Sequence, residues 1–185
     1  CPDWRTDVVV VPAGHEELIT ILSLPGPSRQ RIHDIAAISP GSVWYVVREP
    51  TRRAGYNASD IGTPLHDLYV EIKAADPTAK ITSPSILNWE FTCFGCSGYT
   101  KGSEWLDEFR TAYMTQYGEE PPVDIWAIDI YPLDWWNLPT VDHQIAIDQV
   151  AGLRQYLDSI GQQAHPIWIT APALHLGHAR TLSPS

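Results

Sequence analysis

The feature that most constrains this chain is a repeated alternation of two hydrophobic periods. Short runs rich in Val, Ile and aromatic residues cover residues 7–11, 43–48, 80–87, 123–131 and 166–170, and their starts lie 36 to 43 residues apart. Between them apolar residues recur at spacings of three and four, the period of an amphipathic helix. Residues 28–37 carry Ile32, Ile35 and Ala36, and residues 64–75 align Leu65, Leu68, Tyr69 and Ile72. Residues 103–117 align Leu106, Phe109, Tyr113 and Tyr117, and residues 141–160 align Ala146, Val150, Leu153, Leu157 and Ile160. Thr140 or Asp142 can cap the last helix and Gly161 can end it, as Ser103 and Gly118 bracket the one before. Strands that are apolar on nearly every residue, alternating with such helices, predict an α/β fold with a parallel sheet covered by helices.

A repeat near 40 residues fits a (β/α)8 barrel or a doubly wound sheet. No Gly-rich phosphate loop follows any strand, and Ser23-Leu24-Pro25-Gly26-Pro27 reads as a turn. Polar and aromatic residues gather just after strands, at Arg48-Glu49, Asn88-Trp89-Glu90 and from Tyr131 to Trp136. A barrel places its active face at those strand ends. The expected fold is therefore a barrel-like parallel sheet. A complete barrel takes about 250 residues, so 185 residues correspond to an incomplete one. A single domain over residues 1–178 and a flexible tail over 179–185, which has no apolar pattern, complete this division.

Trp44-Tyr45-Val46-Val47-Arg48-Glu49-Pro50 resembles the fourth strand of the large barrel clan of retaining glycoside hydrolases (clan A), where the strand ends in Asn-Glu-Pro. Residues 65–80 resemble the helix and turn leading to the fifth strand, residues 123–132 the sixth strand, and Pro166-Ile167-Trp168-Ile169-Thr170 the seventh. The resemblance covers residues 40–178. It implies that residues 7–11 form the third strand, so that strands three to seven of a barrel are present. It also implies that Glu49 is the general acid/base, and that Arg48, Asn88, Trp89, Asp129, Tyr131, Trp135 and Trp136 line a carbohydrate-binding cleft.

Three departures bear on activity. Arg48 stands where the clan has Asn, and Asp129-Ile130-Tyr131 stands for its His-x-Tyr. The position of the nucleophilic Glu falls on Ala171. A methyl group can neither attack an anomeric carbon nor stabilise an oxocarbenium ion. Glycoside hydrolysis needs two carboxyl groups, about 5–5.5 Å apart for retention or roughly 6.5–9.5 Å for inversion. Hydrolysis is therefore expected to be lost or weak. Glu90, Asp129 and Asp134 are the other carboxylates near strand ends. Asp129 reads equally as an interior polar residue bonded to its neighbours, and Glu90 and Asp134 as solvated loop residues. Trp89, Trp135 and Trp136 are either sugar platforms or loop packing, whereas Trp44, Trp105, Trp126 and Trp168 belong to elements and to the core.

The remaining features bound partners and compartment. The net charge of −10, with eight Trp, argues against nucleic acid and suits a neutral partner such as a sugar. No apolar run approaches the roughly 18–20 residues that span a bilayer. Neither a cofactor nor a metal is expected. His175-Leu176-Gly177-His178 lacks the carboxylate or helix that zinc sites require, and Cys93-Phe94-Gly95-Cys96 has no second pair. Cys93 and Cys96 sit in a Gly/Ser/Thr loop and are a candidate disulfide, with free thiols as the alternative; Cys1 is left over. No signal-peptide pattern is present, so either a leader has been removed or the chain is intracellular; sixteen prolines, few lysines and the glycosylation acceptor Asn57-Ala58-Ser59 suit a secreted, extracellular protein. The alternative function is a non-catalytic extracellular structural protein that self-assembles, a homo-oligomer joined through open sheet edges.

Overall fold

The computed structural model describes residues 6–9, 18–21, 26–46, 57–90, 100–131 and 142–172. Its strands are β1 (Thr6–Val9), β2 (Leu18–Ile21), β3 (Val43–Val46), β4 (Lys80–Ile81), β5 (Ile86–Leu87), β6 (Trp126–Ile130) and β7 (Ile167–Pro172). Its helices are α1 (Arg29–Ile38), α2 (Ala58–Ala75), α3 (Gly102–Tyr117) and α4 (His143–Ser159). From β2 onward all pairings are parallel, in the order β2-β3-β4 and β5-β6-β7. A bridge between Thr82 and Ile125 joins the two groups.

Three sequence expectations are corrected here. Residues 7–11 do not form a parallel third strand. β1 runs antiparallel to β2, with Thr6 opposite Ile21, and β2 is the strand beside β3. The connection spans only residues 10–17, too short for the crossover of a dozen or more residues that a parallel pair needs. Leu18-Ile19-Thr20-Ile21 is only four residues long, too short for its period to tell a strand from a helix.

The run 80–87 is also not one strand. Pro84 has no N–H to give a ladder, so β4 pairs with β3 and β5 pairs with β6, separated by Thr82-Ser83-Pro84-Ser85. Hydroxyls mend the interruption. Thr82 Oγ1 accepts from the Val46 N–H at 3.1 Å, and Ser83 Oγ accepts from the Ala127 N–H at 2.9 Å. Finally, α2 starts at Ala58, ahead of the expected 64, and carries Pro64 inside it.

The other helix boundaries follow the sequence closely. Asp142 Oδ1 accepts from the Gln144 N–H at 2.9 Å and caps α4, while Gly118 and Gly161 end α3 and α4 with φ of +75° and +81°. Helices α1, α2 and α3 pack in succession, and α4 lies against β6.

Alternate residues of each strand face opposite ways. Trp44 and Val46 of β3, and Trp126, Ile128 and Ile130 of β6, join Ile61, Leu65, Leu106, Phe109, Leu153 and Leu157 from the helices in one core. Burying a side chain of this kind contributes about 1.5–3 kcal/mol. Three of the four Trp residues assigned to the core, Trp44, Trp105 and Trp126, are buried, and Trp168 is half-buried. β7 pairs with no second strand among the described residues, and Ile147 and Ile169 are about half exposed along an apolar groove between α4 and β7. No described helix is long and apolar enough to cross a membrane.

Candidate functional site

The face of the sheet turned away from the helices carries polar groups. Each of four successive chain segments contributes one: Tyr45 from β3, Ser85 from the segment between β4 and β5, Asp129 from β6 and Thr170 from β7. Tyr45 Oη donates to Ser85 Oγ at 2.7 Å and lies 3.3 Å from Thr170 Oγ1. Ser85 Oγ donates to Asp129 Oδ2 at 3.1 Å, and Thr170 Oγ1 donates to Asp129 Oδ1 at 2.5 Å. Both oxygens of a carboxylate with 0% exposure thus receive a hydroxyl from a neighbouring segment. A buried carboxylate requires such donors.

This cluster also fixes the curvature of the sheet. In a flat sheet, β3 and β7 would stand three strand spacings apart, about 14 Å at about 4.8 Å each. The side-chain oxygens of Tyr45 and Thr170 lie 3.3 Å apart, so the sheet curves toward its polar face and side chains of β3 and β7 converge over it. Ala171 stands one residue beyond Thr170, paired in register with Asp129 across an irregularity between Ile128 and Asp129. Such irregularities re-aim side chains at the ends of strands. Ala171 is half-buried at the rim of the polar face.

The segment after β5 is clamped. Asn88 adopts φ of +52°, the sole positive value at a non-glycine among the described residues. Its Oδ1 accepts from the Tyr131 N–H at 2.8 Å and its Nδ2 donates to the Tyr131 carbonyl at 3.1 Å. The side-chain amide thereby extends the β5–β6 ladder by one step, and a left-handed backbone, which Asn tolerates, turns the chain outward. Two helical glycines admit the turn. A Cβ at Gly102 of α3 would fall 2.1 Å from the Asn88 carbonyl oxygen, and one at Gly152 of α4 would fall 2.3 Å from Trp89 Cδ1. Gln149 Oε1 of α4 accepts from the backbone N–H groups of both Trp89 and Glu90.

These contacts place several residues singled out from the sequence. Asn88 spends its amide on Tyr131. The Trp89 ring is buried against Tyr156, with centroids 5.2 Å apart. A sugar platform needs an open ring face, and this ring presents none; it packs the loop. Glu90 is exposed and pairs with Lys101 at 3.2 Å. Asp129 is the interior polar residue of the alternative reading, bonded to Ser85 and Thr170. Tyr131 follows β6, half-buried, at the same end of the sheet as Ala171. Arg48, Glu49, Asp134, Trp135, Trp136, Cys93 and Cys96 lie outside the described residues, as do His175, His178 and Cys1. Sequence reasoning missed Tyr45, Ser85 and Thr170. The usable signal was strand alternation, which puts Tyr45 opposite in facing to Trp44, and Thr170 opposite to Ile169. No group of three or more His, Cys, Asp or Glu suited to a metal occurs among the described residues.

With this geometry established, comparison with solved structures is informative about the fold. An endo-beta-1,3-glucanase of family GH128 (subgroup II) from Sorangium cellulosum superposes with a TM-score of 0.61 at 19% identity, over 90% of this chain and 59% of that one. CelM2, a bifunctional glucanase-xylanase from a metagenome library, gives 0.54 at 13% identity, over 80% of this chain and 39% of that one. A Paenibacillus polymyxa xyloglucanase of family 44, solved with xyloglucan, gives 0.53 at 13% identity, over 88% and 45%. No family model matches the chain, and no curated protein matches it in sequence. The fold is glycosidase-like. The chain spans from 39% to 59% of the length of these three enzymes.

Proposed function

We propose that this chain is a glycoside hydrolase-like protein, built as part of a (β/α) barrel of the retaining clan, that presents a carbohydrate-binding cleft at the carboxyl-terminal ends of its parallel strands. The observation that carries the reading is the convergence of β3 and β7 through Tyr45 and Thr170, with Ala171 next in sequence and Asp129 beside it. Glu49 follows β3 by three residues, so the acid/base and nucleophile positions of the resemblance belong to the two strands whose side chains converge. The named activities of the superposed enzymes, on β-1,3-glucan, on glucan and xylan, and on xyloglucan, point to a plant- or microbial-type polysaccharide backbone.

Hydrolysis is lost or weak in this reading, because Ala171 offers no carboxylate and Asp129 is buried beneath the rim. Glu49 would protonate the leaving oxygen and later activate water; Arg48, Tyr131, Trp135 and Trp136 would border the sugar. Secretion fits the substrate, since such polysaccharides lie outside cells.

The test is binding and turnover measured together. Titration of laminarin, xyloglucan and xylan into the chain should give heat for at least one, with no reducing sugar released. Ala171→Glu, or azide added to the unaltered chain with an activated aryl glycoside, should restore turnover. Binding to none of the three would sink the cleft, and binding without restored turnover would sink the assignment of 171.

A second reading, a self-assembling structural protein, is favoured by the edge of β7 that has no partner strand among the described residues, beside exposed Ile147 and Ile169. Two such edges can pair about a two-fold axis. Light scattering across a concentration series distinguishes a dimer or filament from a monomer.

A further inference from the structure

Asn57-Ala58-Ser59 is a sequence motif within the described residues that neither the sheet nor the cleft absorbs. It is the sole Asn-x-Ser/Thr in the chain, and the middle residue is not Pro. Such a tripeptide arises by chance, so its placement must decide between accident and use. Asn57 is the residue just before α2, with extended backbone at φ −67° and ψ 151°. Asn57 and Ser59 are exposed, whereas Ala58 between them is 1% exposed and packs into the core. The buried Ala58 anchors the tripeptide while both polar side chains face solvent.

The Asn57 amide is also spared from structural duty. It makes no capping hydrogen bond to the helix. Its Nδ2 donates one hydrogen to Asp60 Oδ2 at 3.0 Å, which leaves the second N–H for substitution.

We propose that Asn57 is an N-glycan attachment site, modified by an oligosaccharide donor carried on a lipid diphosphate. Nδ2 forms a bond to the anomeric carbon of the donor sugar, and the bond from that carbon to the diphosphate oxygen breaks. The lipid diphosphate leaves with the electron pair, and one Nδ2 proton passes to a base of the transferase. The product amide keeps one N–H, so the Asp60 hydrogen bond survives and no buried group is uncovered. A bulky, solubilising group then stands at the amino terminus of α2, on the helix that follows β3.

The full chain, secreted from yeast behind a cleavable leader, tests this. Intact mass should show a heterogeneous excess that peptide N-glycosidase removes, converting Asn57 to Asp with uptake of heavy oxygen from labelled water. Asn57→Gln and Ser59→Ala should each abolish the excess, and Ser59→Thr should raise occupancy. Secreted chain with unmodified Asn57, or an excess that persists in both Asn57→Gln and Ser59→Ala, would overturn the assignment.

Discussion

Ile128 and Asp129 are consecutive in β6, and both are fully inaccessible to solvent. They belong to opposite faces of one sheet, and the faces obey different physics. The Ile128 face is held by non-directional burial against the helices, where any apolar group of similar volume would serve. The Asp129 face is held by oriented hydroxyls from Tyr45, Ser85 and Thr170, which tolerate no such exchange. One face makes the sheet stable; the other makes it curve, and brings side chains of β3 and β7 together.

Six substitutions can break or sharpen that contrast. On the apolar face, Trp126→Ala removes one of the largest fully buried side chains and should cost about 3–5 kcal/mol, read from urea unfolding. A loss near zero would mean that the helices do not close over β6. At the junction of the faces, Gly102→Ala drives a methyl into the Asn88 carbonyl and should cost about 3 kcal/mol. Gly118→Ala meets nothing within 4 Å and should cost only about 1 kcal/mol, for its left-handed backbone. Equal losses at the two glycines would remove the close approach of α3 to the β5 turn.

On the polar face, Asp129→Ala should cost about 2 kcal/mol by stranding two hydroxyls. Combined with Thr170→Val, it should show a coupling of at least about 0.5 kcal/mol in a double-mutant cycle. Additive losses would dissolve the cluster into independent contacts.

The smallest effect belongs to the opposite, amino-terminal end of the sheet. Asp76 accepts from the Gly41 N–H at 2.6 Å, the Thr78 N–H at 2.9 Å and Thr78 Oγ1 at 2.6 Å. Burial opposes its ionisation, but these donors outweigh burial and hold its pKa below the ordinary carboxylate value. A depressed folded pKa stabilises the fold above the unfolded pKa, near 4, and that contribution is lost as pH falls through the folded value. Asp76→Asn should therefore cost about 1 kcal/mol at pH 7. Below the depressed folded pKa of Asp76 the original carboxyl is itself protonated, so the difference between the two proteins should vanish there. A pH-independent difference in melting temperature would show that the carboxylate charge is irrelevant.

The alternation of strands and helices was legible because each signal is local. Period 3.6 marks α1 to α4, glycines mark the ends of α3 and α4, and Asp142 marks the start of α4. β2 was not legible, since four residues, three of them apolar, lie within the ambiguity of any short run. Pro84 was visible all along, yet only the neighbours β3 and β6 show that it divides one strand into two. In the site, Asp129 stood out as a charge in an apolar run. Asn88 and Trp89 stood out as polar and aromatic residues after a strand, but their partners decided that they hold the turn.

The sequence by itself determined a helix-covered, largely parallel α/β sheet and an alanine, with no carboxylate, at 171, because periodicity and residue chemistry are properties of single segments. Only the tertiary structure decided that β1 runs antiparallel, that the sheet rolls, and that Tyr45, Ser85, Asp129 and Thr170 meet. The last two outcomes depend on hydrogen bonds between residues 40 to 125 positions apart, and no local pattern encodes which distant donor a buried carboxylate will find.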